Sequence, residues 1–289
     1  MYPTGKPRVK LVRFKSKALG SFLVYCSYCA VVAITLFPVL WVLSSSLKTP
    51  PEIYRYPPTW LPETPQFVNY LKVFTLTSLS RYFINSILVS LFTTAGVVLV
   101  AMLAGYGFSR FLFKGKQVLM LILIGTQMIP GVTNSITVYL IMRELGLLDT
   151  LPALMLIYAA VNIPLSVWLL KTYFDTVPLS LDEAAAMDGC SRLRILFSII
   201  APVSLPGLAA TALFSFIACW NEFYLALVLC SSVRSSTMPI GLFMFQSSYD
   251  IKWNLLGAAS IVAMLPVIVL FIAFQEQFVA GLTKGAVKE

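Results

Sequence analysis

The chain alternates between long stretches without a single charge and short stretches where charges crowd together. Reading from one charged residue to the next gives six charge-free runs, 18–47, 82–109, 117–142, 150–170, 195–221 and 253–275, the shortest being 21 residues. About 20 helical residues cross a hydrocarbon layer about 30 Å thick. A helix also satisfies its own backbone N–H and C=O groups, which such a layer demands. The pattern therefore predicts an all-α membrane protein with six transmembrane helices, near 19–43, 82–108, 117–141, 151–171, 204–230 and 253–275. A basic segment, 1–17, precedes this transmembrane domain of 18–275, and a tail, 276–289, follows it. The first apolar run is much longer than the core of a secretory signal, so a retained helix is expected.

Composition agrees with the pattern. Of 289 residues 58% are hydrophobic and 11% charged, against about 25% charged in a soluble domain. The net charge of +9 raises the question of a nucleic-acid surface, and the placement of the cations answers it. If the N-terminus is cytoplasmic, 14 of the 21 Lys and Arg residues fall on inside segments. That bias sets orientation in a lipid membrane, so no nucleic-acid partner is expected. Both termini and the loop 175–203 come out cytoplasmic.

Several chemistries are excluded by what the chain lacks. It has no histidine, which removes imidazole bases and the usual hydrolytic triads. Its five cysteines form no disulfide framework or metal knuckle; Cys26 and Cys29 read as packing residues of the first helix. The stretch at Lys114–Gln117 lacks the glycine spacing and Ser/Thr of a phosphate-binding loop. Asp175, Asp182 and Asp188 near the inner face have no metal or phosphate spacing. No enzyme activity, catalytic residue, metal or bound cofactor is expected of this chain.

Two features outside the plain spans carry candidate chemistry. The outer loop, about 44–80, is rich in proline and aromatics, with a short helix expected at Asn69–Phe74. Its Tyr54, Tyr56, Trp60, Tyr70 and Phe74 suit the membrane interface or an extracytoplasmic partner. Glu222 is an acid late in the fifth span, and an ionisable group there marks a pathway or a paired site by default. Trp220, Asn221 and Glu222 are the candidate substrate-pathway residues, and a proton-coupled secondary transporter using Glu222 is the alternative reading.

The stretch DEAAAMDGCSRLRILFSIIAPVSLPG, Asp182 to Gly207, interrupts the apolar pattern. Ser180 and Glu183 have capping-box spacing, and the small residues Ala184, Ala185 and Ala186 allow another surface to approach closely. Gly189 predicts a left-handed helix stop. Ser191 predicts the cap of a second helix, and Pro202 and Pro206 its passage into the fifth span. The expected product is a helix–turn–helix knob on the cytoplasmic face.

This knob resembles the EAA loop of permease subunits in binding-protein-dependent ABC importers. Glu183, Ala184, Ala185, Gly189, Ile199 and Pro202 match the family's spacing, while Ala201 stands where leucine is usual. FPVLWVLSSSLKTPPEIY, NSILVSL, GLLDTLPALMLIY, SFIACWNEFYLAL and QFVAGLTKGAVK extend the resemblance over nearly the whole chain, to the carbohydrate-uptake, maltose-permease type. The resemblance implies the type I importer fold in a bacterial cytoplasmic (inner) membrane. It implies a heterodimer with a second homologous permease subunit and an extracytoplasmic solute-binding protein that delivers a sugar-class solute. It further implies two ATP-binding subunits, which hold ATP and Mg. Carried over, Glu183, Ala184, Ala185, Asp188 and Gly189 would couple to the ATPase, with Gly281, Thr283, Lys284 and Gly285 of the tail touching it as well.

Overall fold

The structure is a computed structural model that describes residues 11–246 and 251–286. Among the described residues there is no β-strand, only a single bridge between Gln246 and Ile251. The helices are α1 (Leu11–Ser46), α2 (Val68–Leu76), α3 (Leu79–Arg110), α4 (Lys116–Gly125), α5 (Ser135–Glu144) and α6 (Leu151–Phe174). They continue with α7 (Leu179–Met187), α8 (Arg192–Val203), α9 (Leu205–Asn221), α10 (Tyr224–Leu229), α11 (Met238–Phe243) and α12 (Trp253–Ala286).

Among the described residues, four single helices are long and apolar enough to cross a membrane: Val24–Ser46, Leu79–Arg110, Leu151–Phe174 and Trp253–Gln277. The six expected spans and these four differ at two broken runs. Run 117–142 is not one helix. α4 gives way to 3₁₀ turns at Thr126–Met128 and Gly131–Asn134 before α5 begins. Pro130 explains the break, since it forces Ile129 into an extended conformation (φ −83°, ψ 117°) and lacks an N–H for the ladder. The span expected at 204–230 is also interrupted. α8 carries a π turn at Leu196–Ile200 and meets α9 at 85°, with Pro202 and Pro206 withholding donors around the corner. α9 then ends at Asn221, and Glu222 is extended (φ −69°, ψ 120°) before α10.

The bundle is built around α3 and α6, with α9 packed on both. Between lipid-soluble helices there is little hydrophobic drive, so close van der Waals fit decides the contact. Gly105 provides it: a Cβ there would stand 3.1 Å from the Lys171 nitrogen and 3.3 Å from the Leu170 Cβ. α12 packs on α9 and carries α1 on its other side.

At the end opposite the EAA loop, connections are stitched by side chains onto backbone. Asn85 donates to the carbonyls of Arg234 (3.0 Å) and Ser236 (2.8 Å), and Ser86 accepts from the Met238 amide at 2.7 Å. Asp149, in the left-handed region (φ 60°), accepts from the amides of Ser231 (2.8 Å) and Ser232 (2.9 Å) and from the Ser235 hydroxyl. The Ser235 hydroxyl, chiefly, holds the Asp149 carboxyl well below the usual carboxylate range, with the serine amides adding to it. A depressed carboxylate stabilises the fold above its unfolded pKa, 3.8 here, and loses that contribution as pH falls further. The thermal-stability gap between the wild type and Asp149→Asn should thus stay constant from neutral pH to about 4 and shrink only below it, as scanning fluorimetry in detergent can follow.

Candidate coupling site and pathway residues

α7 and α8 form the expected knob, closed by a complete stop signal. Gly189 is left-handed (φ 77°), its amide donates to the Ala186 carbonyl at 3.1 Å, and the Cys190 amide donates to Ala185 at 3.0 Å. This paired arrangement satisfies the last carbonyls of α7. Ser191 caps α8, accepting from the Arg194 amide at 3.4 Å. The capping box expected of Ser180 and Glu183 does not form. α7 starts two residues sooner, at Leu179 after Pro178, with no side-chain cap, which leaves Ser180 inside the first turn.

Behind the first turn of α7 lies a buried ion pair. The Arg110 Nε donates to the Asp182 Oδ2 at 3.0 Å, and both side chains are only 5% exposed. The guanidinium spends its other nitrogens on the carbonyls of Phe174 and Val177, each at 3.0 Å, and on the Ser109 hydroxyl at 3.2 Å. Tyr106 donates to the other Asp182 oxygen at 2.7 Å. One cation thus joins the end of α3, the end of α6 and the first turn of α7. Around it Ala101, Met102, Leu170, Phe174, Ile195 and Ile200 form a dry apolar cluster.

The remaining EAA residues divide by side. Ala185 is buried in that cluster and faces its own chain, so its small size serves the internal contact. Glu183, Ala184, Asp188 and Gly189 face outward, joined by Met187, which is 85% exposed. Arg110, Tyr106 and Asp182 were not singled out as a unit from the sequence. The available signal was Arg110 itself, the single cation closing a long charge-free run, two turns of chain before the next apolar segment. In the tail, the backbone at Gly281, Thr283, Lys284 and Gly285 continues α12 rather than leaving it, while Lys288 lies outside the described residues.

The structure places the three candidate pathway residues in different surroundings. Trp220 is 3% exposed, donates its Nε1 to the Ala263 carbonyl at 3.1 Å, stacks on Phe216 and meets Phe83 edge-on. Its ring belongs to the packing of α9 against α12 and α3. Asn221 is exposed and lines a cavity of about 410 Å³ with Met238, Leu242, Ser260 and Met264. Glu222 turns away to cap α10: its two oxygens accept from the amides of Leu225 (2.9 Å) and Ala226 (3.1 Å). A carboxylate at the positive end of a helix satisfies donors that the break exposes.

A bundle of membrane-length helices with a rigid, outward-facing knob at one end is the scaffold of a transporter's membrane subunit. The chain belongs to the family described as the binding-protein-dependent transport system inner membrane component, whose model matches residues 96–284. It is 35% identical over 253 residues to the sulfoquinovosyl glycerol transport system permease protein of Agrobacterium fabrum, covering 88% of this chain and 89% of that one. It is 36% identical over 258 residues to the trehalose/maltose transport system permease protein of Thermococcus litoralis, covering 88% and 92%. An inner membrane ABC transporter permease protein of Escherichia coli is 34% identical over 267 residues, covering 91% and 95%. The fold matches a chain of a bacterial ABC transporter involved in import of the acidic polysaccharide alginate, with a TM-score of 0.79, 21% identity, and 94% and 100% of the two chains covered.

Removing one partner of the buried pair should cost far more than removing both. Asp182→Leu leaves Arg110 charged and unpaired, a loss of about 3–5 kcal/mol, whereas the double variant with Arg110→Met should recover most of it. Thermal unfolding of the four proteins in detergent, combined as a double-mutant cycle, reads the coupling directly.

Proposed function

We propose that this chain is one of two homologous permease subunits in an ATP-driven importer of a sugar-class solute, and that α7 and α8 dock on a cytoplasmic ATP-binding subunit. In this reading both broken runs, 117–142 and the α8–α9 corner, belong to membrane passages, which gives six crossings with both termini in the cytoplasm. The observation that carries it is the two-sided character of α7. Its inner face is locked by Asp182 and Ala185, while Glu183, Ala184, Met187 and Asp188 present an exposed rim of mixed apolar and acidic character. A surface held rigidly from behind transmits displacement; a loop free on both sides would absorb it. ATP, with Mg, stays on the partner subunits, and their closure moves the knob. The Arg110–Asp182 pair carries that motion into α3 and α6, shifting the bundle between two arrangements.

The solute class rests on the relatives, whose names specify a sulfoquinovosyl glycerol and trehalose or maltose. Asn221, at the mouth of its cavity, is the pathway residue with an amide to offer a hydroxyl-rich solute, and a second homologous permease contributes the facing wall. An extracytoplasmic solute-binding protein delivers the solute. Glu222 has a structural role as a cap, which weakens the proton-coupled alternative.

The test is co-purification from native membranes with a tagged chain. The wild type should bring down an ATP-binding subunit and a second permease. Glu183→Lys and Ala184→Trp change only the exposed rim and should insert normally while losing the ATPase and ATP-dependent uptake about tenfold or more, the equivalent of one lost charge-assisted contact. Undiminished ATPase recovery and uptake with both variants would contradict the docking. Gly189→Pro, which cannot adopt φ 77° and loses the bond to Ala186, should abolish uptake altogether.

A further inference from the structure

Two buried charges at the end opposite the EAA loop are left without a salt bridge. Lys48, just past α1, is 2% exposed, and Glu52, in the single helical turn Pro50–Ile53, is 8% exposed. Among the described residues neither belongs to an ion pair within 4.0 Å. Thr59 stands between them: its carbonyl accepts from the Lys48 ammonium, and its hydroxyl donates to the Glu52 Oε1 at 3.2 Å. The Glu63 amide also donates to that oxygen, at 2.9 Å, and Lys48 lies 4.9 Å above the Trp41 ring. An ammonium has three donors and a carboxylate about four acceptor sites, so both keep capacity to spare. Burying such charges is costly unless something completes them. Both line one cavity of about 400 Å³, together with Trp41, Tyr54 and Trp253.

A second, almost wholly apolar groove of about 340 Å³ shares Trp41 with this cavity. Its floor is Phe37, Leu40 and Leu43 of α1 with Leu47 in the turn that follows, and its roof is Trp60 and Leu61 of the loop folded back onto the helix. Trp60 meets Phe37 and Trp41 edge-on at 5.8 and 5.5 Å, and the Ser44 hydroxyl holds the Trp60 carbonyl. Phe37 to Ser46, the last residue of α1, spans about 14 Å along the helix, close to half of a hydrocarbon layer about 30 Å thick, which is the depth of one leaflet.

We propose that the two cavities together bind a phospholipid with an amine-bearing headgroup, a phosphoethanolamine, in the leaflet at this end. The phosphate faces Lys48, the ammonium faces Glu52, and one acyl chain lies in the α1 groove. Opposite charges held a short distance apart by Thr59 complement a zwitterion, whereas an anionic headgroup would meet Glu52 unfavourably. A sugar would find too few hydroxyl partners along the groove. The inference does not depend on which solute is carried.

Native mass spectrometry of the purified transporter tests it, using phosphatidylethanolamine, phosphatidylglycerol and maltotetraose as probes. The wild type should retain phosphatidylethanolamine in preference to phosphatidylglycerol. Glu52→Gln should lower phosphatidylethanolamine retention about tenfold, one charge-assisted hydrogen bond, and leave phosphatidylglycerol no weaker. Lys48→Met should weaken both lipids. Leu40→Trp fills the groove from its lipid-facing side without touching either charge or its hydrogen bonds, and should also weaken both. A wild-type preference for phosphatidylglycerol, equal retention by the wild type and Leu40→Trp, or occupancy by maltotetraose in place of lipid would overturn the proposal.

Discussion

The EAA end of this bundle depends on one guanidinium. Arg110 meets the Asp182 carboxylate, the carbonyl of Phe174 at the close of α6, that of Val177 in the turn after it and a serine hydroxyl on its own helix, all in a buried site. Arginine suits this position where lysine would not. Its planar fork carries donors in several fixed directions and is less strongly hydrated than an ammonium. Asp182 is satisfied in turn by Tyr106, so neither charge is left incomplete. A half-satisfied version of this network would be worse than an apolar core. The three elements it joins therefore hold one relative arrangement or change together.

That constraint gives the knob its mechanical character. α7 is short, and an isolated helix of nine residues would not persist in water. It persists because Asp182 and Ala185 anchor one face and the Gly189 stop completes its last turn. At its far end α8 continues through a π turn into an 85° corner, so the chain enters α9 almost sideways. Under the proposed docking, a displacement of the knob would reach two places: directly α3 and α6 through the ion pair, and α9 through the corner. α9 ends at Asn221, beside the cavity. The route from exposed rim to that cavity is a series of packed helices with no long flexible segment between.

Much of this was legible in the sequence because hydrocarbon leaves a simple trace. The charge-free runs located every long helix, and Gly189 and Ser191 announced their roles through backbone chemistry that depends on neighbours close in the chain. What was not legible depended on distant partners. The capping-box spacing of Ser180 and Glu183 is a genuine local signal, but α7 opens after Pro178, and Arg110, more than 70 residues earlier, holds Asp182 of that first turn inward. Trp220, Asn221 and Glu222 read as one set of pathway candidates, yet with the break after Asn221 the three side chains sit in three different surroundings. Ala185 is the same lesson in small: it belongs to the matched motif, yet it is buried against its own chain and not on the exposed rim.

The exposure of α1 shows why a membrane chain needs a different standard of evidence. Almost none of its apolar stretch Val24–Ser46 is covered by the rest of the protein. In water such a helix would demand a partner. In lipid the surrounding tails are as apolar as leucine, so an uncovered apolar face costs little and identifies no interface. The features that do demand an explanation are polar ones at membrane depth or its border. Arg110 with Asp182 is complete within the chain, and Glu222 is complete as a cap. Lys48 and Glu52 are complete only in part, and the difference lies in geometry: Thr59 separates them where Arg110 and Asp182 touch. Two charges that each other could have neutralised, kept apart on the wall of one cavity, are arranged for a third party that carries both signs.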